Sequence, residues 1–140
     1  MSRVLEVEWS DFGVTVCVNL LDEENPKQCD EFWQALPFQT IFAASMSAGE
    51  MFKIPIPLIL SEASSDKLRF FPDEKPGSLF MGAAGSLMLK YGMVAEPFRL
   101  PVIGRMTKSE LEKFKSVAVK LTDAYFFTKE INIASLRRKG

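Results

Sequence analysis

The 140-residue sequence predicts an α+β fold, a small antiparallel β-barrel with one early helix and one C-terminal helix. Two observations lead to this prediction. About eight short apolar or alternating stretches are separated by turn residues, a pattern typical of short strands. Two further stretches have apolar residues at helical spacing. A closed barrel removes exposed strand edges, and the helices can cover its ends.

The first predicted element is a β-hairpin. Polar and apolar residues alternate from Val4 to Trp9, residues 10–13 supply a turn, and Val14 to Leu21 forms the second arm. Because the alternation starts at the beginning of the chain, we predict a strand there and not a signal peptide.

A capped helix and a long apolar strand follow the hairpin. Asn25 is a suitable N-cap, Pro26 suits the first helical position, and Pro37 ends the helix. Phe38 to Met46 is almost continuously apolar, which predicts one strand buried on both faces. A turn at residues 47–49 ends that strand.

The middle of the chain is predicted to hold short strands. Pro55 and Pro57 limit residues 52–60 to an edge strand or an extended loop. Further strands are expected over residues 68–71, 78–81 and 86–91, the last ending at Tyr91, with another extended segment over residues 96–103.

The last part of the chain contains the second helix. Thr107 and Glu110 form a capping box, and an apolar stripe continues from there to Tyr125. A short strand or extended tail is expected near residues 131–136, and the basic residues 137–139 are predicted to be a solvated tail. We expect one domain over residues 1–140, with the barrel at about 3–105 and the helix and tail at about 107–140.

Composition excludes several classes of function. The net charge is −1, from 17 basic and 18 acidic residues, so nucleic-acid binding has no electrostatic support. No apolar run reaches the roughly 20 residues that span a bilayer. Cys17 and Cys29 are predicted to be free thiols in a reducing environment, and we predict a cytoplasmic location.

The sequence contains no histidine. This excludes histidine-based catalytic triads and the common zinc sites, and no metal site is predicted. Proton transfer would have to use Glu, Asp, Lys, Tyr or Cys side chains.

Five ionisable residues are candidates for a site. Glu50 and Lys53 are the first charged side chains after the buried strand. Glu50 is a candidate acid or base, and Lys53 is a candidate to hold a substrate carboxylate or to act as a nucleophile. Tyr91, at a strand end, is a candidate hydrogen-bond donor. Arg69 and Arg105 are candidate carboxylate clamps. Each has a plainer alternative: a surface turn residue, surface lysine, core tyrosine or surface ion pair.

Short motifs spread over residues 4–103 resemble the cyclophilins. A strand leads to Asp22, then to a Pro26-Lys27 helix start and Phe32, and then to a strand with Phe42. Further motifs are similar to a divergent bacterial branch of cyclophilin-like proteins, which includes the cyclophilin-like domain of cucumopine synthase. These motifs are Leu36-Pro37-Phe38, Ser47-Ala48-Gly49-Glu50, Phe70-Phe71-Pro72 and Tyr91-Gly92, together with the segment 91–97.

The resemblance implies cofactor-independent chemistry on a small anionic substrate. Cucumopine synthase condenses histidine with 2-oxoglutarate through an imine and a ring closure, without a redox cofactor. For such a condensation we predict that Glu50, Lys53 and Tyr91 are catalytic. The predicted substrate-binding residues are Phe42, Phe52, Arg69 and Arg105. The expected function is therefore an opine-forming, Pictet–Spengler-type condensation of a 2-oxo acid with an amine, or binding of such a substrate.

Prolyl isomerase activity is not expected, although it is the best-known activity of cyclophilins. True cyclophilins place a catalytic arginine two residues after the strand phenylalanine, whereas Phe42 is followed here by Ala43, Ala44 and Ser45. Without the guanidinium, the pocket lacks its main means of stabilising the twisted amide.

A second interpretation is a non-catalytic cyclophilin-like module that binds a partner or forms a homo-oligomer. The apolar segments Ile54–Leu60 and Phe98–Ile103 would suit a subunit interface. An enzyme requires Glu50 and a cation at one concave site, whereas a module requires only an apolar groove. A homo-oligomer is expected in either case.

Overall fold

Ten strands form one antiparallel sheet that curls into a barrel in the computed structural model, which describes residues 3–140. Met1 and Ser2, at the start of the alternating N-terminal stretch, lie outside the described residues. The strands are β1 (Val4–Trp9), β2 (Val14–Leu20), β3 (Phe38–Thr40), β4 (Ala43–Ala44), β5 (Gly49–Pro55), β6 (Leu68–Phe70), β7 (Ser78–Met81), β8 (Ser86–Val94), β9 (Arg99–Arg105) and β10 (Ala134–Arg138). The helices are α1 (Pro26–Ala35) and α2 (Lys108–Asp123). The predicted α+β class is confirmed.

The two edges of the sheet are neighbours in the chain. The strand order is β3-β10-β1-β2-β9-β7-β8-β5-β4, with β6 paired to β9. Only Ile41 and Phe42 separate β3 from β4, and the Thr40 hydroxyl donates to the Pro55 carbonyl at 2.6 Å across the gap. The chain therefore closes the barrel by passing from one edge to the other.

This closure corrects the prediction of one long strand from Phe38 to Met46. The segment is two short strands that are only half-buried, because β3 pairs with β10 whereas β4 pairs with β5. Apolar composition reflects burial, and it does not reveal a change of partner halfway along a segment.

Residues 52–60 were predicted as an edge strand or an extended loop; residues 56–60 form no strand, but residues 52–55 belong to the interior strand β5. It lies between β8 and β4 and pairs with β8 from Gly49 to Pro55. Pro55 is tolerated because it is the last residue of the strand. Strand β8 likewise continues past Tyr91 to Val94.

The sheet has apolar side chains on both faces. The inner face forms the barrel core, in which Trp9, Phe42, Phe52 and Phe114 are buried. On the outer face a smaller cluster includes Met51, Phe71, Phe80 and Val102, and the segment 68–74 lies over it. This second cluster gives the outer face of β5 and β8 a floor of buried side chains.

Helix α2 covers one opening of the barrel with its apolar stripe. Thr107 caps the helix as predicted, since its hydroxyl accepts the Glu110 N–H at 3.3 Å. The Glu110 carboxylate does not complete a capping box; it accepts the Cys17 N–H of β2 at 2.7 Å. Burial acts to raise the pKa of Glu110, but hydrogen bonds from Lys113 and Cys17 outweigh it and lower that pKa.

Helix α1 covers part of the opposite side of the core with Cys29, Phe32 and Leu36. Asn25 occupies the N-cap position, but its side chain donates to the Val102 carbonyl at 2.8 Å instead of capping the helix. Burial raises the pKa of the Cys29 thiol to about 12, so this cysteine is an unreactive core residue.

The basic C-terminal residues were predicted to be a solvated tail, and most of them form β10 instead. Strand β10 pairs with both β1 and β3. Arg137 donates to Glu6 at 2.6 Å and to Glu8 at 2.8 Å on β1. Within residues 3–140, no helix is long and apolar enough to cross a membrane.

Lys90 is a buried lysine that supports the outer face. Its ammonium donates to the backbone carbonyls of Phe71, Pro72 and Glu74 in the turn that covers the outer cluster. Burial lowers the pKa of Lys90, while the charges of Glu74 and Asp73 act in the opposite direction. Three carbonyl acceptors require the protonated form, so Lys90 is a structural cation.

Replacing Lys90 with methionine is expected to lower the free energy of unfolding by about 2 kcal/mol, because three turn carbonyls lose their donor. Chemical denaturation measures the change. The matched control is Lys115→Met on the exposed face of α2, which is expected to change the value by less than about 0.5 kcal/mol. Equal effects for the two substitutions would refute the structural role of Lys90.

Candidate functional site

The pairing of β5 with β8 is irregular beside Glu50. Gly49 pairs with Val94 and Met51 pairs with Lys90, so Glu50 lies opposite three residues of β8 and the extra residues of this bulge are on β8. Glu50 is exposed at the bulge.

Gly92 leaves room for the Glu50 side chain. A Cβ built on Gly92 would lie 2.9 Å from the Glu50 Cβ and would overlap its carboxylate. The neighbouring Tyr91 packs into the barrel core. The Glu50 Oε1 atom accepts the Met93 N–H at 3.1 Å, which fixes the carboxylate at the bulge.

A concave site lies on the outer face of β5 and β8, and we call it the outer cavity. Its volume is about 300 Å³, and Met51 and Met88 provide apolar lining. Lys53, Glu96 and Tyr125 also line it. The outer cavity therefore combines a cation, a carboxylate and a phenol with an apolar floor.

A larger cavity lies beside the first, and we call it the apolar cleft. Its volume is about 470 Å³, between the barrel-closing segment and the residues that follow α2. The buried side chains of Phe42 and Leu121 contribute to it, and charged groups occur only at Lys129 and Glu130. The remaining lining residues are Ile41, Met46, Tyr125, Phe126, Ile131 and Asn132.

Tyr125 lines both cavities because the end of α2 changes from an α-helix to a π-helical turn. The turn spans Ala124–Thr128 and ends at Lys129, which has left-handed backbone geometry (φ +63°) and donates its N–H to the Ala124 carbonyl at 2.6 Å. Ala124 is buried and Tyr125 is 41% exposed. The apolar stripe in the sequence predicted that Tyr125 would be a buried residue of a regular helix.

The structure brings some of the predicted site residues together and separates others. Lys53 lines the outer cavity, whereas the Glu50 carboxylate accepts the Met93 N–H at the bulge and does not line it. Phe42 lines the apolar cleft. Phe52 is fully buried in the barrel, and Tyr91 stacks on it with ring centroids 5.1 Å apart. Tyr91 therefore lies on the face of the sheet opposite to Lys53.

The two candidate arginines lie in ion pairs elsewhere. Arg69 on β6 pairs with Glu24 at 3.1 Å, and Arg105 on β9 pairs with Glu74 at 2.6 Å. Neither arginine lines the outer cavity or the apolar cleft. Lys53 is the cation that the structure places in the outer cavity.

Sequence reasoning missed Glu96 and Tyr125 as candidates. Glu96 is half-buried just before Pro97, in the segment 91–97 that carried part of the family resemblance. Its position beside a proline in an otherwise apolar segment was an available signal. Tyr125 had no such signal, because its direction depends on the π-helical turn.

The described residues contain no cluster of three or more His, Cys, Asp or Glu side chains that could hold a metal ion. The chemistry that the outer cavity can support is that of its own groups. A carboxylate can pair with Lys53, an amine can pair with Glu96, and an apolar substituent can contact the methionines.

The chain matches no family model and no curated protein. It is similar in fold to McbB, whose structure was solved in complex with tryptophan, with a TM-score of 0.90 and 23% identity. That match covers 97% of this chain but 45% of the McbB chain, so the chain spans less than half the length of McbB.

A second similar structure is the solution structure of the hypothetical protein AF2241 from Archaeoglobus fulgidus. The TM-score is 0.66 at 13% identity, over 99% of this chain and 95% of AF2241. Both likenesses establish the fold. Neither names a cyclophilin or cucumopine synthase, so that resemblance stays a prediction.

Proposed function

We propose that this protein binds an amino acid and a 2-oxo acid in the outer cavity and condenses these two small molecules without a cofactor. The observation that supports this most directly is the presence of Lys53 and Glu96 in one concave site with an apolar floor. McbB, which has a similar fold, was solved with tryptophan bound, and tryptophan is an amino acid with a large apolar side chain.

Each charged group of the outer cavity has a role in this proposal. The Lys53 ammonium holds the substrate carboxylate, and the Glu96 carboxylate holds the substrate ammonium. Apolar substituents contact Met51 and Met88. A proton passed from the ammonium to Glu96 leaves a neutral amine, which is the nucleophilic form.

The condensation that we propose forms an imine. The neutral amine attacks the carbonyl carbon of the 2-oxo acid, a C–N bond forms, and the hydroxyl of the resulting carbinolamine leaves as water. Loss of water requires a proton donor, which Glu96 provides after accepting the proton of the amine. In the sharper, cucumopine-synthase-like version, a ring carbon then attacks the imine and Glu50 accepts the released ring proton. Tyr91 positions Phe52 in this scheme and does not contact the substrate.

Exposed apolar side chains favour the second candidate function, a binding or oligomerisation module. Met46 is 89% exposed and Phe127 is 79% exposed, both in or next to segments that line the apolar cleft. Such side chains are typical of a surface that contacts a partner. In this version the protein forms a homo-oligomer and carries out no chemistry.

A thermal-shift screen against amino acids and 2-oxo acids, singly and in pairs, tests the first function. Ligands that bind the native state raise the melting temperature. Lys53→Gln is expected to weaken binding of the carboxylate ligands about tenfold, because the ion pair is lost. The matched control, Lys115→Gln on an exposed face of α2, is expected to leave binding unchanged.

Mass spectrometry of the paired incubations separates an enzyme from a binder. An imine-derived product has the summed mass of both substrates minus one water. Binding without product would leave a small-molecule binder. If the protein is folded and no ligand raises its melting temperature, the proposal is refuted and the partner-binding module is favoured.

A further inference from the structure

The outer cavity and the apolar cleft are separated by the ring of Tyr125, which lines both of them. The outer cavity contains Lys53 and Glu96, whereas the cleft is lined mainly by apolar side chains. Two adjacent cavities of opposite character, with one shared side chain, match the two ends of an amphipathic small molecule.

We infer that Tyr125 determines substrate specificity by joining two subsites. The charged head group of the ligand lies in the outer cavity, and a ring-shaped apolar side chain of the same ligand extends past Tyr125 into the apolar cleft. This inference rests on the proposed function and adds the class of side chain that the site selects.

The depth of the apolar cleft supports an inserted ring. Phe42 is 5% exposed and Leu121 is 3% exposed, so the cleft reaches side chains of the barrel core. Its volume of about 470 Å³ falls within the usual range for small-molecule sites, roughly 300–1,000 Å³. A flat protein surface that covered the opening of the apolar cleft would not fill it.

The charges around the cleft also favour a side chain over a head group. Lys129 and Glu130 are both exposed, whereas the side chains deepest in the cleft are the buried apolar Phe42 and Leu121. Ionic recognition is supplied by Lys53 and Glu96 on the other side of Tyr125. A ligand with one charged end and one apolar end satisfies both cavities at once.

The π-helical turn places Tyr125 between the two subsites. The Lys129 N–H closes the turn on the Ala124 carbonyl at 2.6 Å. The Tyr125 ring also packs edge-on against Phe126, with centroids 5.3 Å apart, and Phe126 lines the cleft. Tyr125 therefore lies in a turn that is closed by a backbone hydrogen bond, and it lines both cavities, whereas Phe127 in the same turn lines neither.

Indole is the probe for the apolar cleft, because it has a ring and no charged head group. Its affinity is measured by ligand-observed NMR for wild type and for variants of the π-helical turn. Tyr125→Ala is expected to weaken indole binding at least fivefold, and Tyr125→Phe is expected to retain it. The matched control, Phe127→Ala, removes an exposed ring from the same turn and is expected to have no effect.

A series of amino acids tests whether the two subsites act on one ligand. Wild type is expected to bind tryptophan at least tenfold more tightly than alanine. Tyr125→Ala should reduce this ratio at least fivefold, whereas Lys53→Gln should weaken both ligands and leave the ratio unchanged. If Tyr125→Ala does not fold, Tyr125→Leu replaces it in the same comparison.

The outcomes distinguish the inference from the proposed function. Indole binding that depends on Tyr125, without binding of any amino acid, would refute the proposed function and the joined subsites, leaving only a separate ring-binding cleft. Amino-acid binding with equal affinities across the series would refute the role of Tyr125. Failure of indole to bind, with a dimer in sedimentation that Met46→Asp abolishes, would assign the cleft to a second copy of the chain.

Discussion

Phe114→Ala is expected to lower the free energy of unfolding by about 4 kcal/mol, because truncation of a buried phenylalanine leaves a cavity. Phe114 projects from α2 into the barrel, where its ring lies within 6.1 Å of the rings of four other aromatic residues. These are Trp9, Phe42, Phe52 and Tyr91. Urea denaturation followed by circular dichroism measures the change.

Phe127→Ala is the control for this substitution. It removes the same side chain from a position that is 79% exposed, so the expected change is within about 0.5 kcal/mol. A loss of less than about 1.5 kcal/mol for Phe114→Ala would be below the range for a buried phenylalanine, and it would contradict the placement of α2 over the barrel opening.

Gly49→Ala is expected to lower the free energy of unfolding by about 3 kcal/mol, through backbone strain and steric overlap together. Gly49 has a φ of +116°, and a Cβ there would overlap the Met93 carbonyl and lie 2.9 Å from the Val94 Cα. Backbone atoms of a paired strand cannot move aside without breaking the bulge. Thermal and urea denaturation both report the loss.

Gly13→Ala is the comparison, because it introduces backbone strain without steric overlap. Gly13 has a φ of +63° in the β1–β2 turn, and a Cβ there would have no neighbour within 4 Å. The expected cost is about 1 kcal/mol from the left-handed backbone alone. Equal costs for the two glycines would show that the bulge yields to a side chain, which contradicts the fixed position of Glu50.

Much of the fold could be predicted because it depends on local signals. The β1–β2 hairpin followed from alternation and a turn, and the start of α2 followed from Thr107 and its capping interaction. Strands β7 and β8 were predicted over residues 78–81 and 86–91, and they pair across the intervening residues 82–85. In each case the residues that decide the structure lie within a few positions of one another.

The remaining elements depend on partners that are distant in the sequence. The segment from Phe38 was predicted as one strand because its composition does not show that β3 and β4 pair with different strands. Arg137 was assigned to a tail because its carboxylate partners, Glu6 and Glu8, lie at the other end of the chain.

The candidate site was predictable only in part. Lys53 was found because it follows a buried segment, and the structure places it in a cavity. Tyr91 was grouped with Lys53, but Tyr91 faces the core while Lys53 lines a cavity on the outer face. The bulge beside Gly49 adds residues to β8 without changing its composition, so periodicity alone does not locate it.

The position of β10 has a consequence for how the chain reaches its folded state. Strand β10 lies between β1 and β3, and Arg137 contacts Glu6 across 131 positions of sequence. Until β10 pairs with them, β1 and β3 each present an unpaired backbone edge. Closing a loop between partners so far apart in the sequence is entropically costly and slow, so the insertion of β10 is a late step of folding.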